Sequence, residues 1–366
     1  MKLLMTTDAV GGVWTYALDL CGALSAFGID VVLATLGPRP RASQRVGLQR
    51  LSNVELIESQ HPLEWMEEPW REVDAAGEWL LQEAHARDVD LVHLNGYAHA
   101  NLPWRRPVVS VAHSCVITWW QAVHKEQAPP RWSEYRKRVR AGLTAADRVV
   151  APTSAFAKQL AEAHQLDRSI EVIHNGRALE CADRLRGDAS HAVVACGRAW
   201  DEAKNFVLLD DVAQRCPWPI QLIGPSESPS GARWKPRHLC CLGEMSAAQV
   251  NARLASAAIF VHPALYEPFG LAIVEAALTR CCLVLADLPG LRELWDEAAV
   301  FFDPRRAESL ESALNAVIGN PELRESLAQC AAQRAQTYSS QVMARRYFDL
   351  YREMVGADRP ARKAVA

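Results

Sequence analysis

Short apolar runs alternate with stretches of helical periodicity from one end of the chain to the other. In the first half, the apolar runs predict strands at 3–5, 31–34, 54–57, 91–94, 108–112, 149–151 and 170–173. Amphipathic helical patterns lie among them at 13–27, 65–87 and 133–146. Strands separated by helices are typical of a parallel sheet, because a parallel connection needs a crossover of that length. The first half therefore predicts a doubly wound α/β domain.

The same pattern restarts in the second half of the chain, with strands predicted at 193–196, 220–223, 258–261 and 283–286. We therefore predict two Rossmann-like domains, over 1–173 and 191–340, joined by a linker at 174–190. A last helix at 341–356 is expected to cross back onto the first domain. Open parallel sheets bind ligands beyond the carboxyl ends of their strands, so we expect a site in a cleft that the two sheets face.

Composition narrows the choice of partners. A length of 366 residues fits two domains, and a net charge of −3 gives no electrostatic case for nucleic acid. The ten cysteines form no C-x-x-C pair, which favours buried thiols in a reducing cytosol over metal ligands or disulfides. The apolar start at 1–5 is too short for a signal peptide, and no run reaches the roughly 18 apolar residues of a membrane span. These features predict a cytoplasmic protein.

Two sets of residues follow predicted strands and suit an anion. Gly11 and Gly12 stand between the first strand and the first helix, where glycine lets the backbone approach a ligand. The pair is equally typical of an ordinary turn, and the missing G-x-G-x-x-G spacing argues against a dehydrogenase. Arg198 and Lys204 follow the strand at 193–196 and would neutralise a diphosphate, unless they are ordinary solvated charges.

The strongest motif begins at Glu267 and ends at Glu275. Gly270 lies near the start of the helix that carries Glu275, so free backbone N–H groups can face an anion there. Two carboxylates flank this turn, and carboxylates accept hydrogen bonds from vicinal hydroxyls. The motif indicates a site for a sugar and a phosphate. The alternative is that Glu267 caps the helix and Glu275 lies on its surface.

With these residues the chain resembles the large retaining GT-B glycosyltransferase family with the E-x7-E motif, known as family 4-like or group 1. Besides the motif itself, the resemblance rests on five further segments that extend over almost the whole chain. They lie at 7–13, 111–114, 173–176, 197–205 and 288–294.

The resemblance implies roles for individual residues. Gly12, beside Gly11, would offer its backbone to the donor diphosphate, which Arg198 and Lys204 would hold. Glu267 and the amides of Phe269, Gly270 and Leu271 would hold the transferred sugar and phosphate, Glu275 the ribose, and His113 would lie beside the reacting carbon. Arg198 and Lys204 stand one residue further apart than in most relatives, and His174 replaces a common proline.

The acceptor side is less specific. His113 follows the strand at 108–112, but a lone histidine is more often structural. Trp119 and Trp120 would suit the floor of an acceptor site, or the core. A basic stretch with Arg131, Arg136, Lys137, Arg138 and Arg140 allows weak peripheral contact with anionic lipid, although such a helix face is usually just solvated.

Three functions remain at this stage. The first is metal-free transfer of a hexose from a UDP- or GDP-sugar to a hydroxyl acceptor, expected to be a saccharide or glycan precursor, with retention of anomeric configuration. No acid pair of the type that holds a metal on a diphosphate follows a strand, since the only D-x-D, Asp88-Val89-Asp90, precedes one. The second is a nucleotide-sugar epimerase or phosphorylase of the same fold, and the third a non-catalytic binding partner. The complete motif with Arg198 and Lys204 favours the first.

Overall fold

The computed structural model describes residues 1–178, 190–227, 231 and 233–357. The chain divides into two compact units. The first comprises Met1–Gln121, Glu126–Ala178 and the segment that begins at Ser340, and the second comprises 122–125 and the described residues from 190 to 339.

The first unit contains a seven-stranded parallel sheet in the order β3-β2-β1-β4-β5-β6-β7. Its strands are β1 (Lys2–Asp8), β2 (Asp30–Leu36), β3 (Val54–Glu58), β4 (Leu91–Leu94), β5 (Val108–Val111), β6 (Arg148–Ala151) and β7 (Glu171–Val172). The helices that connect them are α1 (Gly12–Leu24), α2 (Ala42–Leu48), α3 (Trp70–Ala86), α4 (Val116–His124), α5 (Ser133–Ala145) and α6 (Ser154–His164). Short 3₁₀ helices occupy Ser25–Phe27, Ala98–Asn101 and Pro130–Trp132.

The second unit contains a six-stranded parallel sheet in the order β10-β9-β8-β11-β12-β13. Its strands are β8 (Ser190–Cys196), β9 (Ile220–Ile223), β10 (Cys240–Gly243), β11 (Ala257–His262), β12 (Cys282–Ala286) and β13 (Ala299–Phe302). Its helices are α7 (Phe206–Ala213), α8 (Ala247–Ser256), α9 (Leu271–Leu278), α10 (Pro289–Trp295), α11 (Ala307–Gly319) and α12 (Pro321–Ala335), with 3₁₀ turns at Glu202–Lys204 and Gln336–Tyr338.

Each sheet reverses its winding once, at β1 and β4 in the first unit and at β8 and β11 in the second. These strands are buried on both faces, which explains why they read as continuous apolar runs in the sequence. At such a reversal the loops after the two neighbouring strands diverge and leave a crevice at the carboxyl edge of the sheet. The residues that follow β1, β4, β8 and β11 are therefore the candidates for a ligand site.

The last helix, α13 (Ser340–Gly356), belongs to the first unit. It packs against α1, and the rings of Phe348 and Phe27 stack at 4.7 Å between centroids. Tyr347 and Tyr351 of this helix are fully buried. α13 includes the whole range 341–356 over which the sequence predicts a helix. Of the predicted linker, 174–178 lies in the first unit, and 179–189 lies outside the described residues.

Two expectations need correction. The helix predicted from 65 begins at Trp70, because Glu68 has a positive φ of 42° and Pro69 follows it. The prediction of buried thiols is wrong for Cys240, Cys241 and Cys330, which are exposed. Cys240 and Cys241 lie on β10, an edge strand with a single neighbour, so a strand-like sequence there does not imply burial.

Within the described ranges, no helix combines the length and the apolar character needed to cross a membrane. The basic stretch is partly occupied by internal contacts. Arg138 of α5 pairs with Glu134 and Asp74, and its guanidinium lies 4.8 Å from the ring centroid of Trp70. Arg131 stacks on Trp120 at 5.3 Å. These two cations are therefore held by neighbours in the protein.

Candidate active site

In the second unit, the loops after β8 and β11 emerge side by side at the sheet reversal, because these two strands pair in parallel register. The loop after β8 carries Arg198 and Lys204, and the loop after β11 carries Glu267. Asn205 connects the loops, since its side-chain amide donates to the Pro263 carbonyl at 2.9 Å and to the Pro304 carbonyl at 2.7 Å. The Leu265 amide also donates to the Ala203 carbonyl at 2.8 Å. The two loops are thus fixed to each other.

An ion pair lies where these loops meet. Lys204 Nζ donates to Glu267 Oε2 at 2.6 Å, and His262 Nε2 lies 3.0 Å from the same oxygen. Both partners of the ion pair are largely buried, with side-chain exposures of 17% for Lys204 and 12% for Glu267. The structure therefore brings together a cation and a carboxylate that are 63 positions apart in the sequence.

Burial by itself would raise the pKa of Glu267, but the Lys204 ammonium and the His262 ring outweigh burial and hold this pKa well below its usual range. Glu267 is accordingly ionised at neutral pH. Burial lowers the pKa of His262, with the Glu267 carboxylate acting in the opposite direction, so this ring is a neutral hydrogen-bond donor through Nε2. The cluster presents one ammonium and one carboxylate with fixed orientation.

Arg198 is the second cation of this edge. Its guanidinium donates to Asp201 at 2.7 Å and lies 5.3 Å from the ring centroid of Trp200. Asp201 also accepts from the Ala203 amide and so caps the 3₁₀ turn that ends at Lys204. This capped turn sets the backbone path from Arg198 to Lys204. The Arg198 side chain is held by the Asp201 carboxylate, and the Lys204 side chain by the Glu267 carboxylate.

The helix that follows Glu267 starts at a glycine in a left-handed conformation. Gly270 caps α9 with φ of 89° and ψ of 70°, and a Cβ at this position would lie 2.6 Å from Ile273 Cδ1. The left-handed backbone here favours glycine, and a Cβ would also require the Ile273 side chain to shift. Leu271 and Ala272 occupy the first turn of α9, where backbone amides have no intrahelical acceptor and commonly bind anions.

The other motif residues divide into core and edge. The Phe269 ring is buried and packs edge-on against Tyr338 at 5.7 Å. Glu275, on the second turn of α9, lies close to Cys196 at the end of β8. Burial and then the Glu275 carboxylate raise the pKa of that thiol. Glu275 is thus near the start of the Gly197–Arg198 loop.

Close backbone packing shapes the same loop. Gly224 follows β9 with φ of 137°, and a Cβ on it would lie 1.9 Å from the Gly197 carbonyl oxygen. The Gly197 amide donates to the Ile223 carbonyl at 2.9 Å. The path of the chain into Arg198 therefore depends on a glycine at 224.

In the first unit, Gly11 and Gly12 begin α1 directly after β1. Gly11 is the N-cap and Gly12 the first helical residue, while Asp8 at the end of β1 accepts from the Val10 amide at 2.8 Å. The α1 N-terminus therefore opens at the carboxyl edge of the sheet, as the sequence predicts. Its N–H groups have the geometry that suits an anion.

His113 follows β5 and lies in a cluster of polar and aromatic side chains. Its Nε2 is 2.8 Å from Asn95 Oδ1, and its ring packs edge-on against Tyr16 at 4.4 Å. Burial, and then the neighbouring His93, lower the pKa of His113 to about 3. The ring is therefore neutral in any physiological buffer, and proton uptake by this histidine is strongly disfavoured.

Trp119 and Trp120 both lie half-buried on α4, with ring centroids 6.0 Å apart. Trp120 also contacts Arg131, as described above. The role of these rings in acceptor binding stays a prediction. Asn95 and Asp201 belong to no motif that sequence reasoning could have singled out. His262 carried one weak signal, its place at the end of a strand five residues before Glu267.

Comparison with known proteins identifies the family of this chain. The model of Glycosyltransferase Family 4 matches residues 10–180, and that of Glycosyl transferases group 1 matches residues 230–334. Alpha-D-kanosaminyltransferase from Streptomyces kanamyceticus is 28% identical over 208 residues, which are 56% of this chain and 51% of that protein. The chain thus matches about half the length of this relative.

Solved structures agree on the fold. Sucrose-phosphate synthase from Thermosynechococcus elongatus aligns with a TM-score of 0.80 at 17% identity, over 98% of this chain and 100% of that one. Anabaena HepE, solved in complex with UDP and glucose, aligns with a TM-score of 0.74 at 18% identity, over 96% and 100% of the two chains. With its two parallel-sheet units and its two family matches, this chain belongs to the family 4-like, group 1 glycosyltransferases of GT-B fold.

Proposed function

We propose that this protein transfers a hexose from a UDP- or GDP-sugar to a hydroxyl of a saccharide or glycan precursor, with retention of configuration and without a bound metal. One observation carries the proposal: the Lys204–Glu267 pair, located beside the open N-terminus of α9. A nucleotide sugar presents phosphate next to sugar hydroxyls. An ammonium adjacent to a carboxylate matches that order of charges.

In this proposal Arg198 and Lys204 bind the diphosphate, together with the amides from Phe269 to Leu271. Charge grows on the leaving phosphate during transfer, so cations held in place beforehand stabilise the transition state more than the ground state. Glu267 accepts from hydroxyls of the transferred sugar and Glu275 from the ribose. The complex of the structural neighbour HepE with UDP and glucose supports a donor of this class.

The nucleotide of the donor sugar can be identified by a binding screen. A thermal-shift screen of UDP-, GDP- and ADP-sugars on the full chain tests the proposal, because a ligand present at 100 times its dissociation constant adds about 2.7 kcal/mol to stability. We expect a UDP- or GDP-sugar to raise the melting temperature in magnesium-free buffer. No shift with any nucleotide sugar, and no release of nucleotide on incubation with acceptor mixtures, would contradict the proposal.

Glu275→Ala is expected to weaken donor binding by roughly 10- to 150-fold, since a hydrogen bond to a charged group is worth about 1.5–3 kcal/mol. Isothermal titration calorimetry with the donor from the screen measures the change. Glu308→Ala is a matched control, because Glu308 is an exposed acid in the first turn of α11 and its loss changes net charge equally. Equal affinities for the two variants would refute the ribose assignment.

Retention and independence from metal are tested together. We expect NMR of the first-formed product, in buffer with EDTA, to show the anomeric configuration of the donor at an undiminished rate. The acids of the D-x-D sequence are occupied at the amino-terminal end of β4, where Asp90 accepts from the Lys2 amide and Asp88 pairs with Arg106. An inverted product would require a general base, and loss of activity with EDTA would require a metal that this proposal lacks.

A further inference from the structure

The loop after β3 in the first unit contains a tight turn that is anchored at both of its ends. The Met66 amide donates to the Leu63 carbonyl at 2.9 Å, which places Glu64 and Trp65 at the corner of the turn. Leu63 and Met66 pack into an apolar cluster together with Leu36 at the end of β2. The ends of the turn are thus held by the core, whereas the two corner residues are left for other contacts. We refer to Glu64 and Trp65 as the corner pair.

Hydrogen bonds fix this loop to the carboxyl edge of the sheet. The Gly37 amide, directly after β2, donates to the His61 carbonyl at 2.6 Å. Glu64 reaches the loop after β4, where its carboxylate accepts from the Ala98 amide at 2.8 Å and from the Tyr97 amide at 3.2 Å. The corner pair therefore lies beside one of the two loops at which the winding of the first sheet reverses.

The Glu64 carboxylate is less fully compensated than Asp210, an acid of α7 that accepts from the three consecutive amides of 237–239 at 2.8–3.1 Å. Burial acts to raise the pKa of Asp210, but these amides outweigh burial and hold the pKa below its ordinary value. At Glu64 burial prevails over the amides of Ala98 and Tyr97 and raises the pKa to about 7. No lysine, arginine or histidine of the described ranges pairs with this carboxylate. Glu64 therefore retains capacity to accept hydrogen bonds.

The surroundings of the corner pair leave room for a ligand. For a Cβ added to Gly96, the three nearest atoms would all belong to the Glu64 carboxylate group, with Oε1 at 3.6 Å, so the glycine leaves this side of the carboxylate uncovered. Trp65 is 38% exposed, and in the part of the chain that the structure describes its ring stacks on no other ring and on no cation. A carboxylate and an indole thus stand next to each other at the surface, each with an unused face.

We propose that the corner pair binds a neutral sugar ring of the acceptor, with the Glu64 carboxylate accepting hydrogen bonds from its hydroxyls and the Trp65 indole packing against its C–H face. Carboxylates accept from vicinal hydroxyls, and an indole supplies a large, rigid apolar surface. Because no cation compensates the carboxylate, a uronate or a phosphorylated sugar in the same position would be repelled. The inference rests on the proposed function, since it gives the acceptor of that reaction its chemical class and its contacts on the first unit.

NMR titration of the full chain tests the proposal through the indole ¹H–¹⁵N resonance of Trp65, which is assigned by its disappearance in Trp65→Phe. The neutral probes are the methyl pyranosides of glucose, galactose, mannose and N-acetylglucosamine, and the anionic probes are the uronates and 6-phosphates of the same sugars. At about pH 8, where Glu64 is ionised, we expect at least one neutral probe to shift this resonance. Its anionic counterparts should leave the resonance unchanged at the same concentration.

Two variants and a matched control assign the contacts. Glu64→Gln should weaken binding of that sugar about tenfold, the difference between a charged and a neutral hydrogen bond. Glu67→Gln is the control, because Glu67 is an exposed acid of the same loop and should leave sugar binding unchanged. Trp65→Ala should weaken binding about 2- to 12-fold, measured by saturation transfer to the sugar, and Trp65→Phe should restore most of it. Trp65 is exposed, so these two variants test the site even if Glu64→Gln fails to fold.

A Trp65 resonance that no neutral probe shifts would overturn the inference, as would an equal shift with the anionic sugars or with UDP or GDP alone. Equal weakening in Glu64→Gln and Glu67→Gln would also overturn it, since net charge would then explain the effect. The donor screen above decides the proposed function separately. Sugar binding without any response to nucleotide sugars would contradict the transfer reaction and keep the sugar site, whereas a donor response without sugar binding would do the reverse.

Discussion

Lys204→Ala is expected to lower turnover by about 100-fold or more, with a smaller loss of donor affinity. The ammonium compensates negative charge that increases on the leaving phosphate, so its absence is felt most in the transition state. Initial rates of nucleotide release at saturating donor measure turnover, and calorimetry measures affinity. A variant that kept more than half of the native turnover would show that the long step from Arg198 places Lys204 away from the phosphates.

Loss of stability must be separated from loss of catalysis in this experiment. Lys204→Ala leaves the Glu267 carboxylate buried beside His262 alone, and removing one partner of a buried pair costs about 3–5 kcal/mol. The double variant Lys204→Met with Glu267→Gln removes both charges and should regain much of that stability. It should remain inactive. Recovery of turnover together with stability would indicate that Lys204 acts through folding rather than on the phosphate.

Gly224→Ala is expected to destabilise the second unit by about 3 kcal/mol or more. The added methyl group would overlap the Gly197 carbonyl oxygen, and the positive φ adds strain. Gly243→Ala is the matched control: it has φ of 73° but no atom within 4 Å of the added Cβ, so it should cost only about 1–2 kcal/mol. Urea unfolding compares the two, and equal losses would contradict the steric argument.

The same variant tests how the loop after β8 is positioned. Because Gly197 precedes Arg198, displacement of its carbonyl should also displace the guanidinium and weaken donor binding. Hydrogen exchange at the amides of β8 and β9 would locate the disturbance. A Gly224→Ala protein with native donor affinity at low temperature would show that Arg198 is placed by Asp201 and Trp200 alone.

Much of the fold was predictable because buried parallel strands are apolar throughout. The strands at 91–94 and 220–223 have the bounds that the sequence predicts. The edge strands of the sheets and the ends of the helices were harder to predict. Cys240 and Cys241 have the apolar character of a core strand but lie on an edge, and strand order is not encoded in local pattern. The start of α3 at Trp70 depends on the backbone at Glu68 and Pro69 rather than on periodicity.

The candidate site was predictable where chemistry is local in sequence. Glu267, Gly270 and Glu275 belong to one motif, and glycine at 270 is explained by its backbone angles. The partners of these residues were not predictable in the same way. His93 and Tyr351, whose side chains are hydrogen-bonded, are 258 positions apart, and Asn95 acquires its importance only because β1 and β4 are neighbours in the sheet. Such contacts depend on the order of the strands in the sheet, and local sequence pattern does not reveal that order.

The position of α13 has a consequence for synthesis of the protein. The ribosome must complete the whole of the second unit before the residues that cover α1 and supply Tyr351 emerge. Until then Tyr16 and His93 lack their covering helix, and a nascent chain exposes apolar surface of the kind that chaperones bind. Apart from the short segment 122–125, the described residues of the second unit come from one stretch of the chain, from 190 to 339, so this unit can fold first. In this protein the N-terminal half of the chain is the last to be finished.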